Sequence, residues 1–460
     1  ELDDPEVYNM IFNCLVCKSC MTNCPSKVDF GKIALAMRAA LVRKKGLFWL
    51  KKMIFSTLKN PAVLNTGIKT AAAMQSIVFK ADKDIKAISP RSPFALVGSG
   101  FGFDSNRKIP ELNSKTLKDI TPEVVKPDEV KVKVAFFVGD SLNYFYPDAG
   151  LDVIEVLKEN NVEVHIPKAQ NCCGIPVLVH GDIETARTLA RRNIDTFEKT
   201  GCDYIITACG SCGGAWQHEY VDLLKEDPLY GPKAKYWSER TFDISTFLTK
   251  VIDFKKPKGE IRSIVTYHDS CHLKRTLKVS EQPRELLTKA GYEVTEMFEC
   301  DMCCGMGGSY SMKLPEISGP ILQRKLKNIK DTGAPVVTVV GPESGAPIVV
   351  VGAPVVGEVD GGGVPVVGGA VGVVGVRTVV AGPLAAALVV AFVFVDRRVV
   401  AGRPCTVQLR EQQVELAGVR LAEERVELFD ERGHGGLFVH RLIRQRAANL
   451  GLYRYALPRR

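Results

Sequence analysis

Short apolar runs alternate with amphipathic segments between residues 131 and 340. The runs KVKVAFFV, VEVHIP and DYIITAC are separated by helical patterns after Pro147 and over 182–199. The same order returns with SIVTYHD, YEVTEMF and PVVTVV, separated by helical patterns over 281–290 and 315–330. Strands that alternate with helices predict a parallel sheet, so we expect two tandem α/β half-domains, one at 131–257 and one at 258–345.

The segments before this repeat have other patterns. Residues 1–60 are predicted to be helical, and 41–60 (LVRKKGLFWLKKMIFSTLKN) mix lysine and arginine with aromatic residues. A basic amphipathic helix of this kind can lie on a membrane surface, dock onto a partner subunit, or pack on the rest of its own domain. Residues 61–130 place Pro, Ser, Gly and Lys in irregular order and predict a linker.

The segment after the repeat has a different composition. No lysine follows Lys330, and residues 346–460 are first rich in valine and glycine and then rich in arginine. They predict an atypical tail of unknown origin, to which we assign no function. The uncharged run at 378–395 contains Gly382 and Pro383, which favours a buried or irregular segment over a membrane span.

Composition narrows the class of protein. The 460 residues carry a formal charge of +9 and only 8% aromatic residues, without the basic–aromatic interleaving typical of RNA binding, so no nucleic-acid partner is predicted. The chain opens ELDDPEVYNM, which is not a signal-peptide pattern. Its cysteines fall in CxxC and CC groups that suit metal binding in a reducing compartment, so we expect a cytoplasmic protein, with peripheral contact to the cytoplasmic membrane face through 41–60.

Four cysteines near the start form one motif. Cys14, Cys17, Cys20 and Cys24 are spaced C-x2-C-x2-C-x3-C and are followed by Pro25. This spacing predicts ligands of a [4Fe–4S] cluster, whereas zinc sites usually use two separated pairs. The partner run of a two-cluster ferredoxin does not precede it in this sequence. Either the sequence begins inside a longer protein, or a distant cysteine completes the site.

The later cysteines follow the repeat, whose halves are offset by about 131 residues. The turn Cys172-Cys173-Gly174 then matches Cys303-Cys304-Gly305. The predicted cluster or metal ligands of the two halves are Cys172, Cys173, Cys209, Cys212, Cys271, Cys303 and Cys304.

Each half lacks part of an ideal ligand set. Asp140 stands where the first half would have a fifth cysteine, and 341–344 (GPES) stand where the second half would have CPxC. Cys202 and Cys300 fit no ligand position and are interpreted as buried thiols. His268 and His272 flank Cys271 and are interpreted as structural residues rather than ligands.

The run CLVCKSCMTNCP followed by two CCG halves resembles the CCG-domain (cysteine-rich) iron–sulfur oxidoreductases. These include glycolate oxidase iron–sulfur subunits, lactate-utilisation proteins, the C subunit of anaerobic glycerol-3-phosphate dehydrogenase, and heterodisulfide reductase B/D subunits. The phrases FFVGDSLNYFYPDAG, IPKAQNCCGIPVLVHGD and HDSCHLKR are most similar to the glycolate/lactate branch.

The resemblance implies a fold and a function. The fold would be a helical ferredoxin-type [4Fe–4S] segment followed by two α/β CCG domains. The function would be an electron-transfer subunit, not catalytic alone, that passes electrons from an FAD-binding partner oxidising a 2-hydroxy acid to a quinone or other acceptor. Two alternatives stay open: disulfide reduction at a CCG-bound cluster, as in heterodisulfide reductases, and a zinc-binding docking subunit without redox activity.

Overall fold

The chain divides into two compact units, 1–375 and 376–460. The computed structural model describes residues 4–81, 87–91, 109–255, 264–308, 310–334 and 336–338, and three two-residue strands in addition. One of these strands, β12, lies at Val351–Gly352 in the first unit. In the second unit, β13 (Thr406–Val407) pairs antiparallel with β14 (Val426–Glu427). The predictions for the rest of the tail, the run at 378–395 included, fall outside the described residues.

The N-terminal region is helical, as the pattern predicts. Its helices are α1 (Pro5–Phe12), α2 (Ser19–Thr22), α3 (Phe30–Lys45), α4 (Trp49–Leu58) and α5 (Pro61–Val78). The single basic helix predicted over 41–60 is wrong, because α3 ends at Lys45 and is followed by Gly46, whose φ of 75° lies in the left-handed region that favours glycine. Helix α4 starts anew three residues later.

Residues 61–130, predicted as a linker, contain regular structure. Asn60 caps α5, accepting hydrogen bonds from the amides of Ala62 and Val63, and Pro61 occupies its first turn. A small antiparallel sheet follows, made of β1 (Phe79–Ala81), β2 (Ala87–Pro90) and β3 (Ile109–Pro110). The linker prediction rested on the irregular composition of the whole segment and therefore missed the local helix-start signals at Asn60 and Pro61.

The first half-domain forms a five-stranded sheet in the order β4-β6-β5-β7-β8. Its strands are β4 (Val124–Val125), β5 (Val132–Phe137), β6 (Val162–His165), β7 (Tyr204–Thr207) and β8 (Thr241–Asp243). All pairings are parallel except that of β4, which lies antiparallel at the edge. The predicted parallel α/β arrangement is therefore present.

Helices connect these strands. They are α6 (Leu117–Ile120), α7 (Gly139–Tyr144), α8 (Pro147–Glu159), α9 (Ile175–Leu178), α10 (Ile183–Glu198), α11 (Gly210–Gly214), α12 (Tyr220–Leu224), α13 (Tyr230–Ser238) and α14 (Ile244–Thr246). π-Helical turns at Ala215–Glu219 and Phe247–Val251 continue α11 and α14.

The second half-domain repeats the arrangement in a smaller form. Its strands β9 (Ile264–Tyr267), β10 (Glu293–Thr295) and β11 (Val336–Thr338) are parallel in the order β10-β9-β11, and β12 adds antiparallel to β11. Its helices are α15 (Cys271–Thr276), α16 (Glu281–Ala290), α17 (Tyr310–Lys313) and α18 (Pro315–Asp331).

The two half-domains share one apolar core. Val134 and Phe136 of the first sheet belong to the same buried cluster as Val265 and Tyr267 of the second. At the junction α11 packs on α15, and a Cβ on Gly210 would come 2.7 Å from the backbone nitrogen of Leu273. Both helices begin at candidate ligand positions, so this packing fixes those positions relative to each other.

Candidate metal centre

The candidate ligands of the first half lie at the carboxyl ends of three adjacent strands. Asp140 follows β5, the Cys172-Cys173 pair follows β6, and Cys209 and Cys212 follow β7. Because β6, β5 and β7 are parallel neighbours, these loops meet at one edge of the sheet. We call Cys172, Cys173, Cys209 and Cys212 the first thiol group.

The first thiol group is buried and continuous. All four cysteines are 2–6% exposed. Hydrogen bonds join Cys172 to Cys173, Cys173 to Cys212, and Cys212 to Cys209. Asp140, also buried, hydrogen-bonds the Cys172 thiol. The sequence-predicted ligands of this half are therefore brought together.

Charge is unevenly distributed in this group. Hydrogen bonds from the Cys172 and Cys212 thiols lower the pKa of Cys173 well below its ordinary value. The same contacts raise the pKa of both donors, with burial adding to the effect. Burial also raises the pKa of Asp140 to about 6, although its hydrogen bond to Cys172 opposes the shift. Cys173 therefore ionises before Cys172 and Cys212 and is the readier of these three to supply a thiolate.

Backbone geometry shapes this site around sulfur. The amides of Gly174 and Cys212 point at the sulfurs of Cys172 (3.5 Å) and Cys209 (3.3 Å). Gly139 has a φ of 68°, and a Cβ there would come 2.9 Å from the Cys212 sulfur. A side chain at this position would intrude on the thiols. Amides directed at sulfur stabilise its ionised form.

Two buried polar residues that the sequence analysis did not identify, Asn193 and Tyr220, support the Cys172-Cys173 turn. The Asn193 amide donates to the Cys172 carbonyl (3.0 Å) and its oxygen accepts from the Asn171 amide (2.8 Å). The Tyr220 hydroxyl donates to the Cys173 carbonyl (2.9 Å). Neither residue belongs to a motif; only their positions on the inward faces of α10 and α12 could have pointed to them.

The second half brings its three cysteines together in the same way. Cys303 is hydrogen-bonded to Cys271 and to Cys304, and the Gly305 amide points at the Cys303 sulfur (3.4 Å). By the repeat offset, the Cys271–Cys303 contact is equivalent to the Asp140–Cys172 contact of the first half. We call Cys271, Cys303 and Cys304 the second thiol group. Residues 341–344 lie outside the described residues.

One N-terminal cysteine reaches the second thiol group. The Cys17 thiol is hydrogen-bonded to Cys303, and the hydrogen bonds from Cys17 and Cys271 lower the pKa of Cys303. That hydrogen bond, together with burial, raises the pKa of Cys17. Of the other three cysteines of the run, Cys14 and Cys24 are half-buried and Cys20 is exposed. The structure gives no thiol–thiol hydrogen bond for these three, all of which lie in the described part of the chain.

Two buried arginines, both missed by the sequence reasoning, hold the N-terminal loop. Arg38 donates to the carbonyls of Ile11, Cys14 and Val179, the last in the first half-domain, at 2.5–3.1 Å. Arg275 donates to the carbonyls of Cys17 (3.1 Å) and Asp301 (2.6 Å). Their side chains are almost fully buried, at 4% and 7% residue exposure. The loop is thus attached to both halves.

The remaining candidates make structural contacts. Cys202 is buried in the apolar core, which raises its pKa to about 11. Cys300 hydrogen-bonds the buried Asp269 carboxylate. His268 contacts the Cys300 carbonyl (3.3 Å), and His272 contacts the Ser211 hydroxyl (3.0 Å) across the junction of the halves.

The donor chemistry of the two thiol groups fits an iron–sulfur group. Among the residues that the structure describes, no three His, Cys, Asp or Glu side chains converge closely enough to hold one metal ion. Each thiol group is instead a row of adjacent sulfurs, and adjacent cysteines can bind different irons of one cluster. Thiolates are the donors that iron–sulfur clusters prefer, and the buried amides aimed at sulfur suit them.

Comparison with known proteins places these sites in a family. The cysteine-rich domain model CCG matches residues 134–216 and 265–343, one match for each half-domain. Lactate utilization protein A of Halalkalibacterium halodurans is 34% identical over 206 residues, which cover 45% of this chain and 83% of that protein. Lactate utilization protein A 2 of Bacillus cereus strain Q1 is 33% identical over 204 residues, covering 44% of this chain and 84% of that protein.

A third relative gives the same result. Lactate utilization protein A 1 of Bacillus anthracis strain CDC 684 is 32% identical over 204 residues and 84% of its length. The predicted resemblance to CCG-domain and lactate-utilisation proteins is therefore confirmed, with two copies of the domain in an α/β fold. The chain belongs to the CCG cysteine-rich domain family that includes lactate utilization protein A.

Proposed function

We propose that the chain is an iron–sulfur electron-transfer subunit of a flavin-linked 2-hydroxy-acid dehydrogenase of the lactate or glycolate type. Its relatives carry lactate utilization in their names, which supports this substrate class. An FAD-binding partner would oxidise the acid, and a quinone or another electron carrier would be the acceptor. The chain itself would not be catalytic alone.

The observation that carries this proposal is the row of four buried thiols in the first half. Each thiol of this row contacts the next, in the order Cys172, Cys173, Cys212 and Cys209, and all four cysteines are 2–6% exposed. Backbone amides point at two of the four sulfurs. A cluster bound there would supply one-electron oxidation and reduction. The second thiol group would hold a further cluster. The ferredoxin-like spacing of Cys14, Cys17, Cys20 and Cys24 supports a [4Fe–4S] cluster in the N-terminal segment.

The chain's own residues would set the properties of these sites. Asn193 and Tyr220 fix the carbonyls of the Cys172-Cys173 turn, and the core around Trp216 and Phe137 excludes water from the first thiol group. Amides directed at sulfur and low solvent access both shift the reduction potential of a bound cluster. The Arg275 guanidinium next to Cys17 would offset the negative charge of thiolates.

The carboxylate at Asp140 weighs against the reductase alternative. A full set of five cysteines in one half would favour disulfide reduction at a CCG-bound cluster. In the first half the fifth position is Asp140, which hydrogen-bonds Cys172. A hard oxygen donor replaces a soft sulfur there, so electron transfer is the better proposal for this half.

Helix α4 supports peripheral membrane contact. Phe55 packs inward on Leu178 and Cys172, whereas Trp49, Met53 and Ile54 are 48–67% exposed. Exposed lysines and an exposed arginine, among them Lys52, lie close to these residues in sequence. Their positive charge would complement an anionic lipid surface. In the described part of the chain, no helix has the length and apolarity that crossing a bilayer requires.

The proposal is tested by supplying electrons through a flavoprotein. The anaerobically purified chain is mixed with lactate or glycolate, with and without a catalytic amount of an FAD-dependent 2-hydroxy-acid dehydrogenase, and cluster reduction is followed by EPR. We expect reduction only when substrate and flavoprotein are both present. The proposal would be contradicted if substrate alone reduced the cluster, or if the cluster stayed oxidised in the complete mixture.

A further inference from the structure

The second half-domain lacks a CxxC pair, and the structure places another thiol against it. The sequence has Gly341, Pro342, Glu343 and Ser344 where the first half has Cys209 and Cys212. Without this pair the second half offers three cysteines, one fewer than the four thiolates that usually hold a cubane cluster. A fourth sulfur donor must come from elsewhere if this site binds a cluster with thiolates alone.

Cys17 is the thiol that reaches this site. It hydrogen-bonds Cys303, which also contacts Cys271 and Cys304, so Cys303 joins four sulfurs into one group. Cys20, three residues further along the same motif, is exposed. The N-terminal run is therefore not one uniform site: one of its cysteines is directed into the second half-domain.

Independent contacts hold Cys17 in that position. The buried Arg275 side chain donates to the carbonyl of Cys17 and to that of Asp301, two residues before Cys303. A Cβ on Gly307 would come 2.1 Å from Leu15, which shows how closely the two loops approach. Lys18 lies 3.8 Å from Glu219 of the first half. The backbone and apolar contacts place the Cys17 loop against the second half-domain, and the ionic contact attaches the same loop to the first half.

We propose that Cys17, Cys271, Cys303 and Cys304 form one composite cluster site, in which Cys17 takes the role of the missing CxxC pair. The inference rests on the proposed iron–sulfur function and revises one part of it, because Cys17 is assigned to the second half-domain rather than to the N-terminal run. Its position is not identical to that of the lost pair: Cys212 contacts the second cysteine of its CC turn, whereas Cys17 contacts the first. The composite site would attach the N-terminal segment to the second half-domain.

The first test is a double-mutant comparison of iron and acid-labile sulfide in anaerobically purified full-length chain. C17S, C303S and C17S/C303S are compared with the wild type, and C173S/C303S is the control for two separate sites. A composite site predicts that C17S/C303S loses no more iron than C303S alone. In the control, C173S/C303S should lose as much iron as C173S and C303S lose together. Iron losses of C17S and C303S that add up in the double variant would overturn the inference.

The second test needs no variant. The wild-type chain is treated with an iron chelator, samples are alkylated with iodoacetamide, and labelling of each cysteine is followed by mass spectrometry. Shared ligation predicts that Cys17 and Cys303 become reactive at the same rate. Labelling of Cys17 at the rate of Cys20 and at a different rate from Cys303 would overturn the inference. Wild-type chain without iron and sulfide would instead overturn the proposed function itself, so the two failures are distinguishable.

Discussion

The buried carboxylate of Asp269 should be essential to the second half-domain. Its side chain is 0% exposed and lies two residues before Cys271. Arg284 donates to both of its oxygens (2.9 and 3.2 Å), and Lys274 donates at 3.0 Å. Burial alone would raise the pKa of Asp269, but Arg284 and Lys274 together lower it. The carboxylate is therefore ionised at neutral pH, and the stability it contributes is lost as the pH falls through this lowered pKa.

Replacing Asp269 by Asn keeps the shape and removes the charge. Breaking a buried ion pair by removing one partner costs about 3–5 kcal/mol. The Asn oxygen can still accept from Arg284, but its NH2 group faces a second Arg284 donor or Lys274. We therefore expect D269N to lower the free energy of unfolding by about 3 kcal/mol, measured from the urea midpoint and m-value with far-UV circular dichroism.

The matched control uses the other partner of the same arginine. Arg284 also pairs with Glu296, whose side chain is 55% exposed. An exposed pair contributes about 0–1 kcal/mol, so E296Q should change the free energy of unfolding by less than 1 kcal/mol. If D269N and E296Q destabilise the chain by the same amount, burial of the ion pair does not stabilise this loop and the reasoning is refuted.

Three further predictions concern the N-terminal helices and His180, which packs on Phe55 of α4. R38M leaves three carbonyls, one buried and two partly buried, without their donor, so amide hydrogen exchange in α1 should speed up about 30-fold, corresponding to about 2 kcal/mol, whereas exposed Arg43→Met should not change it. Burial lowers the pKa of His180 to about 4 from 6.5, so wild type should lose about 2–3 kcal/mol more stability than H180Q as the pH falls from 6.5 to 4; an equal loss in H180Q, measured by urea unfolding, would contradict this. W49S/I54S should reduce flotation with anionic vesicles at least tenfold. The control M10S, which also changes an exposed apolar residue, should not. Equal flotation of W49S/I54S and wild type would exclude α4 as the membrane contact.

The repeat could be predicted because its signal is local and periodic. The helix predicted over 281–290 is α16, and all six predicted strands are present within three residues of their bounds. The structure brings the cysteines of each half together, as the offset predicts, because loops at the carboxyl ends of parallel strands meet at one edge. The repeat offset and the order of the strands were sufficient to predict which cysteines of each half lie together.

Contacts between distant segments could not be predicted. Cys17 and Cys303 are 286 residues apart in sequence, and nothing in the C-x2-C-x2-C-x3-C spacing distinguishes Cys17 from its neighbours. In the sequence, Arg38 and Arg275 cannot be distinguished from the many other lysines and arginines, and only the tertiary packing shows that these two are buried. The break at Gly46 was missed because the basic–aromatic pattern continues across it, although glycine was itself the available signal.

Metal analysis of anaerobically purified wild-type chain tests the central claim most directly. Iron, acid-labile sulfide and zinc are quantified per chain, and EPR is recorded after dithionite reduction. The account predicts several irons with matching sulfide and the signal of a reduced cluster, and a large loss of both in C172S/C212S, whose thiols lie in the first thiol group. Zinc without sulfide or an EPR signal would contradict it and would favour a zinc-binding docking subunit.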